Sequence, residues 1–266
     1  MLISCEIPNK YLNQLYPLID FPFLINIYRN NPVYREFYIE SCRNAPISFL
    51  DTGFYEKLVH KLDIELTDEA LLEGIDIFHP KYVIANEVLG DREKTIDCIK
   101  RMRDLVEDKA QVCGVVHGCN FNEEMKCFEQ YQDLVDIIAI PHTFVFNEEL
   151  VNLVPSINVE NDTLRRSLFR IYVVNEMLKN GSDKPVHLLG VNSPLEVLNL
   201  SKNKCILSVD TSSPIQCGLK GVRYNHSGIL PHEKIFQEPH YIELIEDLTE
   251  QQFNDIKHNM NVLRGI

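Results

Sequence analysis

Val112-Cys-Gly-Val-Val-His-Gly-Cys-Asn-Phe-Asn-Glu-Glu-Met-Lys-Cys-Phe-Glu-Gln-Tyr-Gln-Asp-Leu-Val-Asp-Ile-Ile-Ala-Ile140 is the stretch that decides the fold. It opens on an apolar run, Val112–Val116, too short for a helix. From Asn122 to Leu134 it sets Met125, Cys127, Phe128 and Leu134 at helix-like intervals among charges, and it closes on a second apolar run, Asp136–Ile140. Strand, helix and strand in that order make a β-α-β unit. Its two strands are expected to be parallel, because a helical crossover returns the chain to the same end of the sheet.

Outward from this unit the alternation recurs. Leu2–Cys5, Ile47–Leu50, Tyr82–Ala85, Val186–Leu189, Ile206–Val209 and Gly221–Tyr224 read as further strands, and Arg92–Asp108 as a second amphipathic helix. That totals eight strands, the number that closes a (β/α)8 TIM barrel, and the 266 residues match the roughly 250 that such a barrel needs. With no repeat, low-complexity tract or Gly/Ser linker to divide the chain, one α/β barrel domain over residues 1–266 is expected. Pro8–Pro46, rich in Tyr, Phe and Asn, reads as an N-terminal helical extension over one barrel mouth. Tyr241–Leu263 reads as an amphipathic closing helix.

Composition narrows the class. Hydrophobic residues make up 45% and charged residues 24%, which describes a packed globular protein and excludes a disordered one. No segment approaches the ~18 uninterrupted apolar residues of a membrane span, and Met1–Lys10 lacks a basic-then-apolar leader, so a cytoplasmic protein is expected. The eight cysteines stand singly with no CxxC pair, which points to reduced structural thiols. A net charge of −13 argues against a surface that binds nucleic acid as a whole. A nucleic-acid substrate would need a local basic rim, for which Arg165, Arg166 and Arg170, or Lys220 and Arg223, are the candidates.

A barrel strand delivers the residue just past its last buried position to the C-terminal face, where barrel enzymes place their active sites. The strand ends supply Asp51, Asn86 and Glu87, His117, His142, Gly190 and Asn192, and Asp210. Each also has a structural reading. Asp51-Thr-Gly-Phe and Asp210-Thr-Ser-Ser-Pro both suit turns whose carboxylate caps the next helix, and a lone strand-end His is commonly a hydrogen-bonded structural residue. Two carboxylates from separate strand ends nevertheless suit base exchange at a glycosidic carbon. One attacks the anomeric carbon, and the other protonates the departing base and later deprotonates its replacement. Retaining glycosidases divide the work in the same way, and neighbouring amide, imidazole or carboxylate groups would read the edge of an unstacked purine.

These residues carry a resemblance. Asp51-Thr-Gly-Phe resembles the Asp-Ser-Gly-Gly-Phe element of tRNA-guanine transglycosylases, Gly114-Val-Val-His-Gly118 their Gly-Ile-Val-Gln-Gly, and Leu188-Leu-Gly-Val-Asn-Ser-Pro194 their Leu-Met-Gly-Val-Gly-x-Pro. Asp210 stands at the expected remove, where that superfamily has its nucleophilic aspartate. The series runs in order from Ile47 to Pro214. The departures are informative. Ala85-Asn86-Glu87 replaces Phe-Asp-Glu, His117 replaces a glutamine, and the zinc element Cys-x-Cys-x-x-Cys with a later His is absent, since Cys205, Cys217, His226, His232 and His240 do not reproduce its spacing. Ala85-Asn-Glu-Val-Leu-Gly-Asp91 and Ser208-Val-Asp-Thr-Ser-Ser-Pro214 more closely resemble the 7-deazaguanine DNA transglycosylases of bacteria and phages.

The resemblance implies that Asp210 is the nucleophile and Asp51 the general acid and base. It implies that Asn86, Glu87, His117, Gly118 and Gly190 form the base site, with either Asn86 or Glu87 on the guanine amino edge. It also implies no zinc subdomain, no metal and no cofactor. The partners would be DNA and a 7-deazaguanine base such as 7-cyano-7-deazaguanine. The alternatives are the same exchange on tRNA, a catalytically silent partner subunit, and an unrelated barrel hydrolase that uses the same two carboxylates on a sugar.

Overall fold

The computed structural model describes residues 1–142, 162–191, 193–226, 241–244 and 246–265. The fold is a (β/α)8 barrel. Its strands are β1 (Leu2–Ser4), β2 (Phe23–Ile25), β3 (Phe49–Asp51), β4 (Tyr82–Ile84), β5 (Gln111–Val115), β6 (Ile137–Ile140), β7 (Val186–Leu188) and β8 (Ile206–Asp210). They lie in the order β1-β8-β7-β6-β5-β4-β3-β2. The described helices are α1 (Leu12–Leu15), α2 (Pro32–Asn44), α3 (Phe54–His60), α4 (Asp68–Phe78), α5 (Arg92–Val106), α6 (Phe121–Leu134), α7 (Asp162–Met177), α8 (Pro194–Leu200), α9 (Ser213–Leu219) and α10 (Glu250–Arg264).

Three expectations are corrected. Phe23–Ile25, inside the segment read as a purely helical extension, is strand β2 and pairs in parallel with β3, while α2 is its crossover helix. Gly221–Tyr224 is no strand. Its backbone is satisfied locally and by two side chains of α10: Val222 N–H donates to Cys217 O at 2.8 Å, Asn259 accepts from Tyr224 N–H at 2.7 Å and donates to Val222 O at 2.9 Å, and His258 Nε2 donates to Tyr224 O at 2.8 Å. The closing helix is also shorter than expected, because Tyr241–Glu243 forms a separate single turn.

The chain divides into two compact units. One comprises Phe21–Ala139 with Asp183–Val186. Its strands are set in register by aromatics at their N-terminal ends. Phe23 pairs with Phe49, and Phe49 with Tyr82, at ring separations of 6.1 and 4.9 Å. Such pairs contribute about 0.5–1.5 kcal/mol each beyond the area they bury, and a one-residue slip would turn every side chain over. This register puts Asp51 opposite Ile25 at the C-terminal end of β3. Helices α2, α4, α5 and α6 start on side-chain caps: Asn31 accepts from Tyr34 N–H, Thr67 from Ala70 N–H, Asp91 from Lys94 N–H and Asn120 from Glu123 N–H.

The other unit comprises Met1–Asp20, Ile140–Ser182 and His187–Ile266. Here β1 and β8 pair with Leu2 opposite Ser208 and Ser4 opposite Asp210. The pairing continues past the strand end, where Thr211 N–H donates to Ser4 O and Val191 N–H to Asp210 O. Helix α10 opens on a capping box between Thr249 and Gln252 and ends at Gly265, whose φ of 72° favours glycine.

Candidate active site

Asp210 ends β8 and is 3% exposed. It caps no helix, since α9 has Ser212 as its N-cap residue and no side-chain cap. Its Oδ1 instead accepts two hydrogen bonds, from His187 Nε2 at 3.0 Å and from Gly190 N–H at 3.1 Å. Oδ2 has no hydrogen-bond partner among the described residues. Gly190, at the end of β7, sits at φ +62°, a conformation that side chains disfavour, and a Cβ there would meet His142 Cβ at 3.4 Å. Glycine at this position aims its amide at the carboxylate and lets the end of β6 approach.

Behind these residues lies an arginine that was one candidate for a basic rim. Arg170 of α7 is 0% exposed. It donates to Gly190 O at 3.3 Å and to Ile140 O and Leu189 O at 2.8 Å each, and lies 3.4 Å from Glu196 Oε2 of α8. Burial lowers its guanidinium from the ordinary value, and the Glu196 and Asp210 carboxylates oppose that shift. It therefore staples the ends of β6 and β7 from within and is not a phosphate contact. Arg223 pairs with Asp255 at 2.5 Å. The side chain of Arg166 lies outside the described residues.

In the other unit α3 starts after Gly53 with no side-chain cap, so Asp51 holds a turn and caps no helix. Its Oδ1 accepts from Gly53 N–H at 2.6 Å, and Thr52 Oγ1 accepts from Phe54 N–H, which turns the chain into α3. Glu87 and His117, at the ends of β4 and β5, meet: His117 Nε2 and Glu87 Oε2 are 2.5 Å apart, with His117 buried. The thiol of Cys113 on β5 is pushed well up by burial first, and then by the Asp51 and Glu87 carboxylates, so both act on one point of the strand.

Asn86 is drawn elsewhere. Its amide donates to Asp68 Oδ1 at 2.7 Å, while Arg101 Nε donates to Asp68 Oδ2 at 3.1 Å. Asn86, Glu87, Asp68, Thr67, Lys57 and Arg101 line a cavity of about 430 Å³, a size that suits a small molecule. Gly118 has a packing role, because a Cβ there would stand 2.5 Å from the backbone nitrogen of Glu124 in α6.

So the structure joins Gly190 to Asp210 and His117 to Glu87, directs Asn86 to Asp68, and ties Asp51 to its own turn. Sequence reading missed His187 and the buried role of Arg170. A signal existed for the first: His187 interrupts an apolar strand, and Ser208 and Asp210 stand two apart on β8, on one face. Among the described residues no group of three or more His, Cys, Asp or Glu is placed to hold a metal ion. Asn192, His232 and His240 lie outside the described residues. No helix among the described residues is long and apolar enough to cross a membrane.

No family model and no curated protein matches the chain. Among solved structures, the chain is similar to a GH10 endoxylanase retrieved from a sugarcane soil metagenome, with a TM-score of 0.40 and 11% identity over 77% of this chain and 69% of that one.

Proposed function

We propose that the chain is a DNA guanine transglycosylase that exchanges guanine in DNA for a 7-deazaguanine base. In the first half-reaction Asp210 Oδ2 bonds to the sugar C1′ while the bond from C1′ to the base nitrogen breaks, and Asp51 gives the departing base its proton. In the second, the incoming base returns that proton to Asp51, its ring nitrogen bonds to C1′, and Asp210 is released as a carboxylate. Protons and electron pairs balance, and no cofactor enters. His117 and Glu87, together with the Asn86 oxygen left by its amide bond to Asp68, would read the purine edge.

The observation that carries this reading is the state of Asp210. It is buried at a strand end, with one oxygen held by two donors and the other without a partner among the described residues. An attacking carboxylate needs such an oxygen. The ordered resemblance from Ile47 to Pro214 supports the choice of substrate.

The test supplies labelled guanine with DNA or with tRNA. Label should enter DNA, and denaturing electrophoresis should trap a protein–DNA adduct. Asp210→Asn, nearly identical in shape, should fold normally and lose exchange by about 10⁴-fold or more, together with the adduct. Exchange at a near-normal rate by that variant would overturn the assignment, and label entering tRNA alone would move it to the RNA reaction.

A further inference from the structure

We infer that His187 is a positioning residue for the nucleophile: locked in one tautomer by Ser208, it holds Asp210 Oδ1 so that Oδ2 is the attacking oxygen. The catalytic consequence rests on the base-exchange reading, whereas the tautomer rests on geometry alone. Ser208 and Asp210 are two apart on β8 and so share a face. His187 on β7 spans both, with Nδ1 2.8 Å from Ser208 Oγ and Nε2 3.0 Å from Asp210 Oδ1.

A carboxylate only accepts, so the ring proton belongs on Nε2. Nδ1 is then an acceptor, and the Ser208 hydroxyl donates to it. Together with Gly190 N–H, the His187 donor fixes the plane of the carboxylate. Without it Asp210 can rotate, and a misplacement of about 1 Å at a reacting atom costs on the order of 10²-fold in rate.

Serine, histidine and aspartate in a row also describe a hydrolase triad. Burial excludes that role here: Ser208 is 0% exposed within β8, so its hydroxyl meets no substrate.

The experiment has two arms. In the first, long-range proton–nitrogen spectra of wild-type protein labelled in its histidines read the tautomer at neutral pH, with His187→Gln assigning the signal. A neutral Nε2–H ring is expected, with a mixture of tautomers in Ser208→Ala. An Nδ1–H or doubly protonated ring in wild type overturns the lock. In the second, His187→Phe should lower kcat for base exchange by about 100-fold with KM within about twofold. His187→Gln, whose amide N–H reaches the same oxygen, should restore kcat to within about tenfold of wild type. Wild-type kcat in His187→Phe, a loss confined to KM, or no rescue by Gln overturns the positioning role. If His187→Phe does not fold, the Gln variant and the wild-type spectra still decide. If wild-type protein exchanges no base, the proposed function falls while the spectra still judge the tautomer.

Discussion

Glu124, in the first turn of α6, is 2% exposed, and its Oε2 has no hydrogen-bond partner among the described residues. Burial pushes its carboxyl from 4.5 to about 8. The folded protein therefore keeps this proton up to about pH 8, while the unfolded chain releases it near the ordinary value. Between those two points the native state binds more protons than the unfolded one, so this group's contribution is fully present below about pH 4.5 and is lost as pH rises through about 8. Glu124→Gln removes the titration. Denaturant unfolding at about pH 5 and pH 9 should show wild type losing more stability than the variant between them, by a few kcal/mol. An identical pH dependence in the two proteins would show that the carboxyl titrates normally.

At the scale of an element, α6 shows how a glycine that looks like part of a substrate site serves packing. Asn120 caps the helix through Glu123 N–H at 3.0 Å, and the preceding loop passes so close that a Cβ on Gly118 would meet backbone atoms of Glu123 and Glu124 at 2.7 and 2.5 Å. Backbone in a capped first turn cannot yield as a flexible side chain can. Gly118→Ala should cost about 1–3 kcal/mol, read as a lower urea midpoint with an unchanged slope. Unaltered stability together with weakened binding of the free base would return Gly118 to the substrate site. The same turn carries His117, whose N–H reaches Cys127 Sγ of α6 at 3.4 Å, so displacement of the helix also moves the His117–Glu87 pair.

Across the whole molecule none of the eight cysteines is in a disulfide, and Cys119 is the exposed one. Burial pushes the Cys42 thiol up to about 12 and Cys217 to about 11, and holds Cys5 and Cys113 well above the ordinary range. Since the thiolate is the reactive form, an aromatic disulfide reagent should label Cys119 first and half-buried Cys205 after it. The buried thiols should wait for denaturant. Mass-spectrometric mapping against time checks the order, and rapid labelling of Cys113 or Cys217 in the native protein would contradict the packing of β5 or α9.

The barrel was legible in the sequence because strands buried on both faces of a parallel sheet read as unbroken apolar runs, and helices between them read at a different period. Strand β2 escaped because three residues, Phe23–Ile25, sit in a segment whose aromatics also suit helices. Gly221–Tyr224 misled because its side-chain partners, His258 and Asn259, stand 34 and 35 residues beyond Tyr224, where no local pattern can signal them. The strand-end residues were legible for the same reason as the strands: each stands where an apolar run ends. Their partners were not. Sequence treats Asp51 and Asp210 alike as possible caps, and only the tertiary structure ties Asp51 to the amide of Gly53 and Asp210 to His187, 23 residues away on the neighbouring strand. Nor does composition distinguish a surface arginine from Arg170, which stays buried because three carbonyls and Glu196 surround it. Hydrophobic pattern is local and so is written along the chain, whereas a hydrogen bond depends on which distant groups the fold brings within about 3 Å of each other.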